Sequence, residues 1–137
     1  MDDAKKVKRI LVVDDQAIAR RVIAGIMSPH GHVDQAENGQ DALALYVEAL
    51  EDGWPYDLIC LDVSMHGLLN GNQVVRCIRA HEEKLAIAAA VPVVMISAHD
   101  HPDDIARSVG LLGANDYITK PFDQARIEEV IRRYLYR

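Results

Sequence analysis

Three things are scarce in this sequence of 137 residues: long apolar runs, cysteine and positive charge. No apolar run approaches the roughly 18 residues that a membrane-spanning helix needs, so no membrane span is expected. The stretch Met1–Lys6 is charged and lacks the apolar centre of a signal peptide, which predicts no secretory leader. Cys60 and Cys77 form no CxxC pair and fall among apolar residues, as expected of a chain that works in a reducing cytoplasm. Acidic side chains number 21 against 15 basic ones, a net charge of -6. Domains that grip nucleic acid through its phosphates are usually basic, so direct nucleic-acid binding is not expected. A linker rich in proline, glycine or serine is also missing, as is any internal repeat. Length, together with an apolar half of the composition, predicts one domain over residues 1–137.

What is present is an alternation. Ile10–Val13, Leu58–Leu61 and Val93–Ile96 are four-residue apolar blocks, each bounded by polar or turn residues. Such uninterrupted blocks predict strands buried on both faces, the mark of a parallel sheet covered by helices. Weaker strands are expected at His32–Ala36 and Asp116–Thr119, the latter after the turn at Gly113-Ala114-Asn115. Between them, apolar residues recur at helical spacing: Ala19, Val22, Ile23, Ile26 and Met27; Ala42, Leu45, Tyr46, Ala49 and Leu50; Ile127, Val130, Ile131, Tyr134 and Leu135. Ile105, Val109 and Leu112 mark a shorter helix opened by Pro102. Val74, Cys77 and Ile78 start another, expected to run through Leu85 towards the alanines before Pro92. Five repeats of strand and helix with right-handed crossovers predict a doubly wound α/β fold.

In such sheets ligands bind at the carboxyl ends of the strands, beside the point where strand order reverses. The residues following the strands are therefore the candidates: Asp14-Asp15, Glu37-Asn38, Asp62, Ser97 and Lys120. Glu37-Asn38 offers no distinctive chemistry, as expected of an edge strand. The rest bring three carboxylates, a hydroxyl and an ammonium to one rim. Facing carboxylates repel, so the rim requires raised pKa values or a bound cation. An all-oxygen donor set selects a hard divalent ion, Mg²⁺ foremost. A metal, an ammonium and a hydroxyl around a central Asp suit phosphoryl transfer onto that Asp.

Four segments then carry a family resemblance: Ile10–Asp15, Asp57–Met65, Val93–Ala98 and Gly113–Phe122. In order and each at a strand end, they resemble the receiver domain of two-component response regulators, over a core of about residues 8–135. The resemblance implies a flavodoxin-like sheet of five parallel strands in the order 2-1-3-4-5, with five helices on both faces. It implies that Asp62 is the phosphoacceptor and that Asp14, Asp15, Asp62 and the backbone carbonyl of Ser64 hold Mg²⁺. Asp15 is expected to be the direct ligand of the acidic pair, with Asp14 acting largely through water. Lys120 would bridge to the phosphoryl group, aimed by a cis bond to Pro121. Ser97 and Tyr117 would be the switch residues, Ser97 moving inward and Tyr117 turning into the space it leaves. The implied partners are a histidine kinase or histidine phosphotransfer protein, and an output protein or domain reading the face of the fourth helix, fifth strand and fifth helix. The implied molecule is a monomer or weak homodimer, and a signalling domain rather than an enzyme. Two departures stand out. His66-Gly67-Leu68-Leu69-Asn70 replaces a usual proline with histidine and adds a residue, and the segment from Asn72 to Pro92 is long, which predicts an extended third helix.

Blander readings stand beside these. Asp14-Asp15 could cap the first helix, Lys120-Pro121 could be a turn, Ser97 a capping hydroxyl and Tyr117 a core residue. His99-Asp100-His101-Pro102-Asp103-Asp104 is similar to the HxHxDH zinc signature, but its last position is Asp and a solvated loop is expected. His30 and His32 are expected exposed, and Arg126, Arg132, Arg133 and Arg137 on a solvated helix face. Two other functions remain open: a receiver excised from a longer regulator with a DNA-binding or enzymatic output domain, and an Mg²⁺-dependent phosphatase with an Asp nucleophile. The latter usually needs a second acid where this chain has Ser64.

Overall fold

The computed structural model describes residues 7–99 and 101–136. Strands β1 (Arg9–Val13), β2 (His32–Ala36), β3 (Leu58–Asp62), β4 (Val93–Ser97) and β5 (Asp116–Thr119) form one sheet in the order β2-β1-β3-β4-β5. Every pairing is parallel. The strands that read as unbroken apolar blocks are the inner ones, and all five residues of β3 and of β4 are buried. Edge strand β2 keeps polar His32, Asp34 and Gln35, because one of its long sides meets no other strand.

Helices α1 (Ala17–Met27) and α5 (Gln124–Leu135) cover one face of the sheet, while α2 (Gly39–Glu51) and α3 (Gly71–Lys84) cover the other. Alternate residues of each strand feed the two layers: Ile10 and Val12 of β1 pack with Ile23, Met27, Ile127 and Ile131, whereas Leu11 and Val13 pack with Ala42, Tyr46, Val74 and Ile78. This period-two division is the strand's own geometry. Each fully buried Leu, Ile or Val contributes about 1.5–3 kcal/mol. Helix α4 (Pro102–Ala106) runs into a wider π turn at Arg107–Leu111.

Five expectations are corrected. The third helix is not extended: it stops at Lys84, and residues 85–92 form a turn in which Ala86 takes a left-handed φ of 53°. Alanine favours helix only when the chain stays in register. Here Glu82 breaks the register, buried and accepting the Val91 N–H at 2.7 Å, so that the chain is drawn back beneath the helix. Cys77 is exposed while Cys60 is buried, and Val22 of α1 is exposed rather than on the covered face. The basic residues of α5 are only partly a solvated face. Arg126 and Arg133 converge on Asp116, and Arg126 also donates to the Tyr117 carbonyl; Arg137 lies outside the described residues. His30 is half-buried beside Glu128 and Tyr136, whereas His32 is exposed as expected.

Candidate functional site

The reversal of strand order falls between β1 and β3, and the residues ending those strands meet there. Asp14 follows β1, Asp62 ends β3, Ser97 ends β4 and Lys120 follows β5. Register places Asp62 beside Ile96, one residue before Ser97, and pairs Ser97 with Thr119, one residue before Lys120. Helix α3 starts close against this corner because Gly71 has no side chain. A Cβ there would lie 2.2 Å from the Asp62 carbonyl oxygen.

Asp14, Asp15 and Asp62 each offer a carboxylate oxygen within 4.8 Å of the others. Asp14 and Asp62 are buried and Asp15 is half-buried. The Lys120 ammonium lies 3.0 Å from Asp14 Oδ2 and 3.5 Å from Asp62 Oδ2. The Lys120–Pro121 bond is cis, as the resemblance implied, and the Lys120 N–H donates to the Ser97 carbonyl at 2.7 Å. Asp14 does not cap α1: the helix opens after Gln16, whose N–H donates to Asp14 Oδ1 at 2.9 Å and turns that carboxylate back towards the rim. Buried Arg20 donates to the Asp14 carbonyl at 2.9 Å and fixes the backbone that carries the pair.

The electrostatics follow from this crowding. Burial, reinforced by the charge of Asp14, pushes the Asp62 carboxyl up from 3.8 to about 6, against the pull of Lys120 and the Ser64 N–H. Burial alone would lower the Lys120 pKa, but its bond to Asp14 and the charge of Asp62 raise it instead. Burial also acts to raise Asp15, and two hydrogen bonds from His66 outweigh it and hold the carboxyl low.

Three carboxylates against one ammonium leave the rim two negative charges in excess, the complement of a divalent cation. The three carboxylates are close enough together for Asp14, Asp15 and Asp62 to share one small divalent ion. The donor set is all oxygen and fits a hard metal.

Two histidines make contacts here that the sequence does not announce. The His66 N–H and Nδ1 both engage Asp15 Oδ2, at 3.0 and 2.5 Å. His99 Nε2 meets Ser64 Oγ at 2.7 Å, and the His99 N–H donates to Ser97 Oγ at 3.2 Å. The His66 substitution was visible, but nothing local revealed its contact with a residue 51 positions away. The zinc-like segment dissolves into these roles, since His101 Nδ1 caps α4 by accepting from the Asp103 N–H. Asp100 lies outside the described residues. Tyr117 is buried, its hydroxyl donating to the His99 carbonyl at 2.8 Å.

Residues 10–132 match the family model described as the response regulator receiver domain. The chain belongs to that family. The receiver domain is 37% identical over 139 residues to the transcriptional regulatory protein ResD of Bacillus subtilis, covering 97% of this chain and 51% of ResD. It is 33% identical over 128 residues to protein PilH of Pseudomonas aeruginosa, covering 93% of this chain and 97% of PilH. Among solved structures it is similar, with a TM-score of 0.80 and 25% identity, to the co-crystal structure of the Saccharomyces cerevisiae histidine phosphotransfer signaling protein Ypd1 and the receiver domain of its downstream response regulator Ssk1. That match covers 93% of this chain and 88% of the other. The receiver domain thus spans about half the length of the transcriptional regulators it matches, and 8% of a hybrid histidine kinase. Among the described residues no helix is long and apolar enough to cross a membrane.

Proposed function

We propose that residues 1–137 act as one receiver domain in the cytoplasm, taking a phosphoryl group onto Asp62 from the phosphohistidine of a histidine kinase or phosphotransfer protein. The observation that carries this reading is the position of Asp62: buried, crowded by a second carboxylate and 3.5 Å from the Lys120 ammonium. An Asp62 oxygen attacks phosphorus in line with the phosphorus–nitrogen bond. That bond breaks, its electron pair stays on the imidazole nitrogen, and the product is an aspartyl phosphate. Asp14, Asp15, Asp62 and the Ser64 carbonyl would hold Mg²⁺, which when bound supplies positive charge to the phosphoryl oxygens. Lys120 balances the charge left on the opposite side. The chain's own chemistry ends at gaining and losing this group, so it signals rather than turns over a substrate.

Output follows from Ser97 and Tyr117. The Ser97 hydroxyl donates to a phosphoryl oxygen once the group is present, and its loop moves with it. The Tyr117 hydroxyl is tied to the His99 carbonyl of that same loop, so loop and ring move together. The face of α4, β5 and α5 then presents two shapes to an output protein or domain, in a monomer or weak homodimer and without direct nucleic-acid contact. The phosphoryl group biases the switch only through contacts that differ between the two shapes. The half-length match to ResD also supports a second reading, a receiver within a longer regulator, which the length of the native reading frame decides.

Incubation with Mg²⁺ and a small acyl phosphate, followed by intact mass, tests the proposal. One acid-stable, base-labile phosphoryl group is expected, and Asp62→Asn should abolish it with the fold intact. Labelling of the Asn variant would move the acceptor elsewhere, and sustained hydrolysis of a phosphomonoester would favour a phosphatase.

A further inference from the structure

Helix α3 turns one side to the sheet and leaves a groove of about 600 Å³ along the other. Gln73, Arg76, Ala80 and Glu83 line it from the helix, and Leu111 and Leu112 from the end of the π turn. The four helix residues are all exposed, and their spacing of three, four and three is the seam spacing of paired helices. Leu111 is 74% exposed, an apolar side chain left in solvent.

Arg79 belongs to the same lining but does not project from it. Its Nε donates to the Gly113 carbonyl at 2.9 Å, Nη1 to Glu82 at 2.8 Å and Nη2 to Asn115 Oδ1 at 2.8 Å, so the guanidinium is folded down against the chain. The middle of the face is therefore the methyl group of Ala80. Arg76 and Glu83 flank it, seven residues or about 10.5 Å apart along the helix. Among the described residues neither side chain has an ion pair or a hydrogen bond.

We infer that this face is a contact between two copies of the chain, their α3 helices antiparallel about a twofold axis that passes between positions 79 and 80. Arg76 and Glu83 lie at equal distances on either side of that axis. Arg76 of each copy therefore meets Glu83 of the other, and two ion pairs close at once. A partner carrying charge of one sign would attract one of these groups and repel the other, whereas a surface with both signs in mirrored places fits itself. Ala80 lets the two backbones approach, and Leu111 of each copy flanks the other's α3. The seam is short and largely polar, and each copy carries a net charge of -6, so the association is weak. The inference is independent of the chemistry at Asp62.

Sedimentation equilibrium of the whole chain at low salt, up to roughly 1 mM, tests it. Wild type should dimerise reversibly, and less so as salt is added. Arg76→Glu and Glu83→Arg should each weaken the dimer roughly fivefold or more, because both facing pairs become repulsive. The double variant Arg76→Glu/Glu83→Arg restores opposite charges and should dimerise like wild type. So should an equal mixture of the two single variants, in which every acid again faces a base. The inference fails if wild type stays monomeric at the highest concentration, or if neither single reversal weakens the dimer. It also fails if the double variant or the mixture associates no better than the single variants alone.

Discussion

Asp62, buried, and Asp34, half-buried, are two carboxylates on one sheet, and their surroundings push them in opposite directions. Asp34, on edge strand β2, accepts from Arg9 Nε at 3.2 Å, the Tyr56 hydroxyl at 2.7 Å and His32 Nε2 at 2.8 Å. The Arg9 guanidinium stacks over the Trp54 and Tyr56 rings, 4.7 and 4.9 Å from their centres, and is held there. Burial tends to raise the Asp34 pKa, but these donors outweigh it and hold the carboxyl low. Asp62 has the Ser64 N–H and a shared ammonium, and faces Asp14 across the rim. Its carboxyl is pushed up. The first cluster satisfies its charge within the fold. The second leaves charge that only a cation from outside can balance, which is what separates a structural acid from a working one.

The two acids therefore predict opposite pH behaviour. A lowered carboxyl stabilises the fold above its unfolded pKa, and that stability is lost as pH falls through the lower folded value. A raised carboxyl does the reverse: with Mg²⁺ chelated, the fold should lose stability through Asp62 as pH climbs from 3.8 to about 6. Urea denaturation of wild type against Asp34→Asn and Asp62→Asn across this range separates the two signs. Equal slopes in all three proteins would erase the distinction.

The largest effect is expected at the metal. Asp15→Ala should weaken Mg²⁺ binding by roughly tenfold or more, because one of the facing charges disappears; calorimetric titration reads this, and unchanged affinity would remove Asp15 from the site. Next is Asp34→Asn, which should cost about 1–3 kcal/mol at pH 7 by removing the charge opposite Arg9 and turning one of the two acceptor oxygens into a donor. Its Mg²⁺ affinity should not change. The smallest is His66→Ala. Because His66 Nδ1 ties up one carboxylate oxygen of Asp15, its removal should tighten Mg²⁺ roughly two- to fivefold. Weaker binding in that variant would mean that His66 helps the metal instead of competing with it.

Much of this is legible in the sequence. β2 and β5 run over the residues that alternation and turn chemistry marked, and the chemistry-bearing residues after each inner strand do share one rim. Strand patterns report burial, and burial is a property of the whole sheet, so they carry tertiary information. The failures have a common cause as well. The end of α3 is set by Glu82 reaching Val91, the poise of Asp15 by His66, and the pairing of Arg126 and Arg133 by Asp116. Each is a polar contact across a loop or between elements, with no periodicity to announce it. A charged residue within an otherwise apolar helical stripe is the nearest signal, and Glu82 and Arg20 both carry it.

Thermal unfolding at pH 7 of wild type and Asp62→Asn, each with chelator and with saturating Mg²⁺, tests the central claim that this rim awaits a cation. Mg²⁺ at about 100 times its Kd should stabilise wild type by about 2.7 kcal/mol. In chelator Asp62→Asn should already unfold at a higher temperature than wild type, and it should respond less to Mg²⁺. A wild type indifferent to Mg²⁺, or an Asn variant less stable than wild type in chelator, would contradict the account.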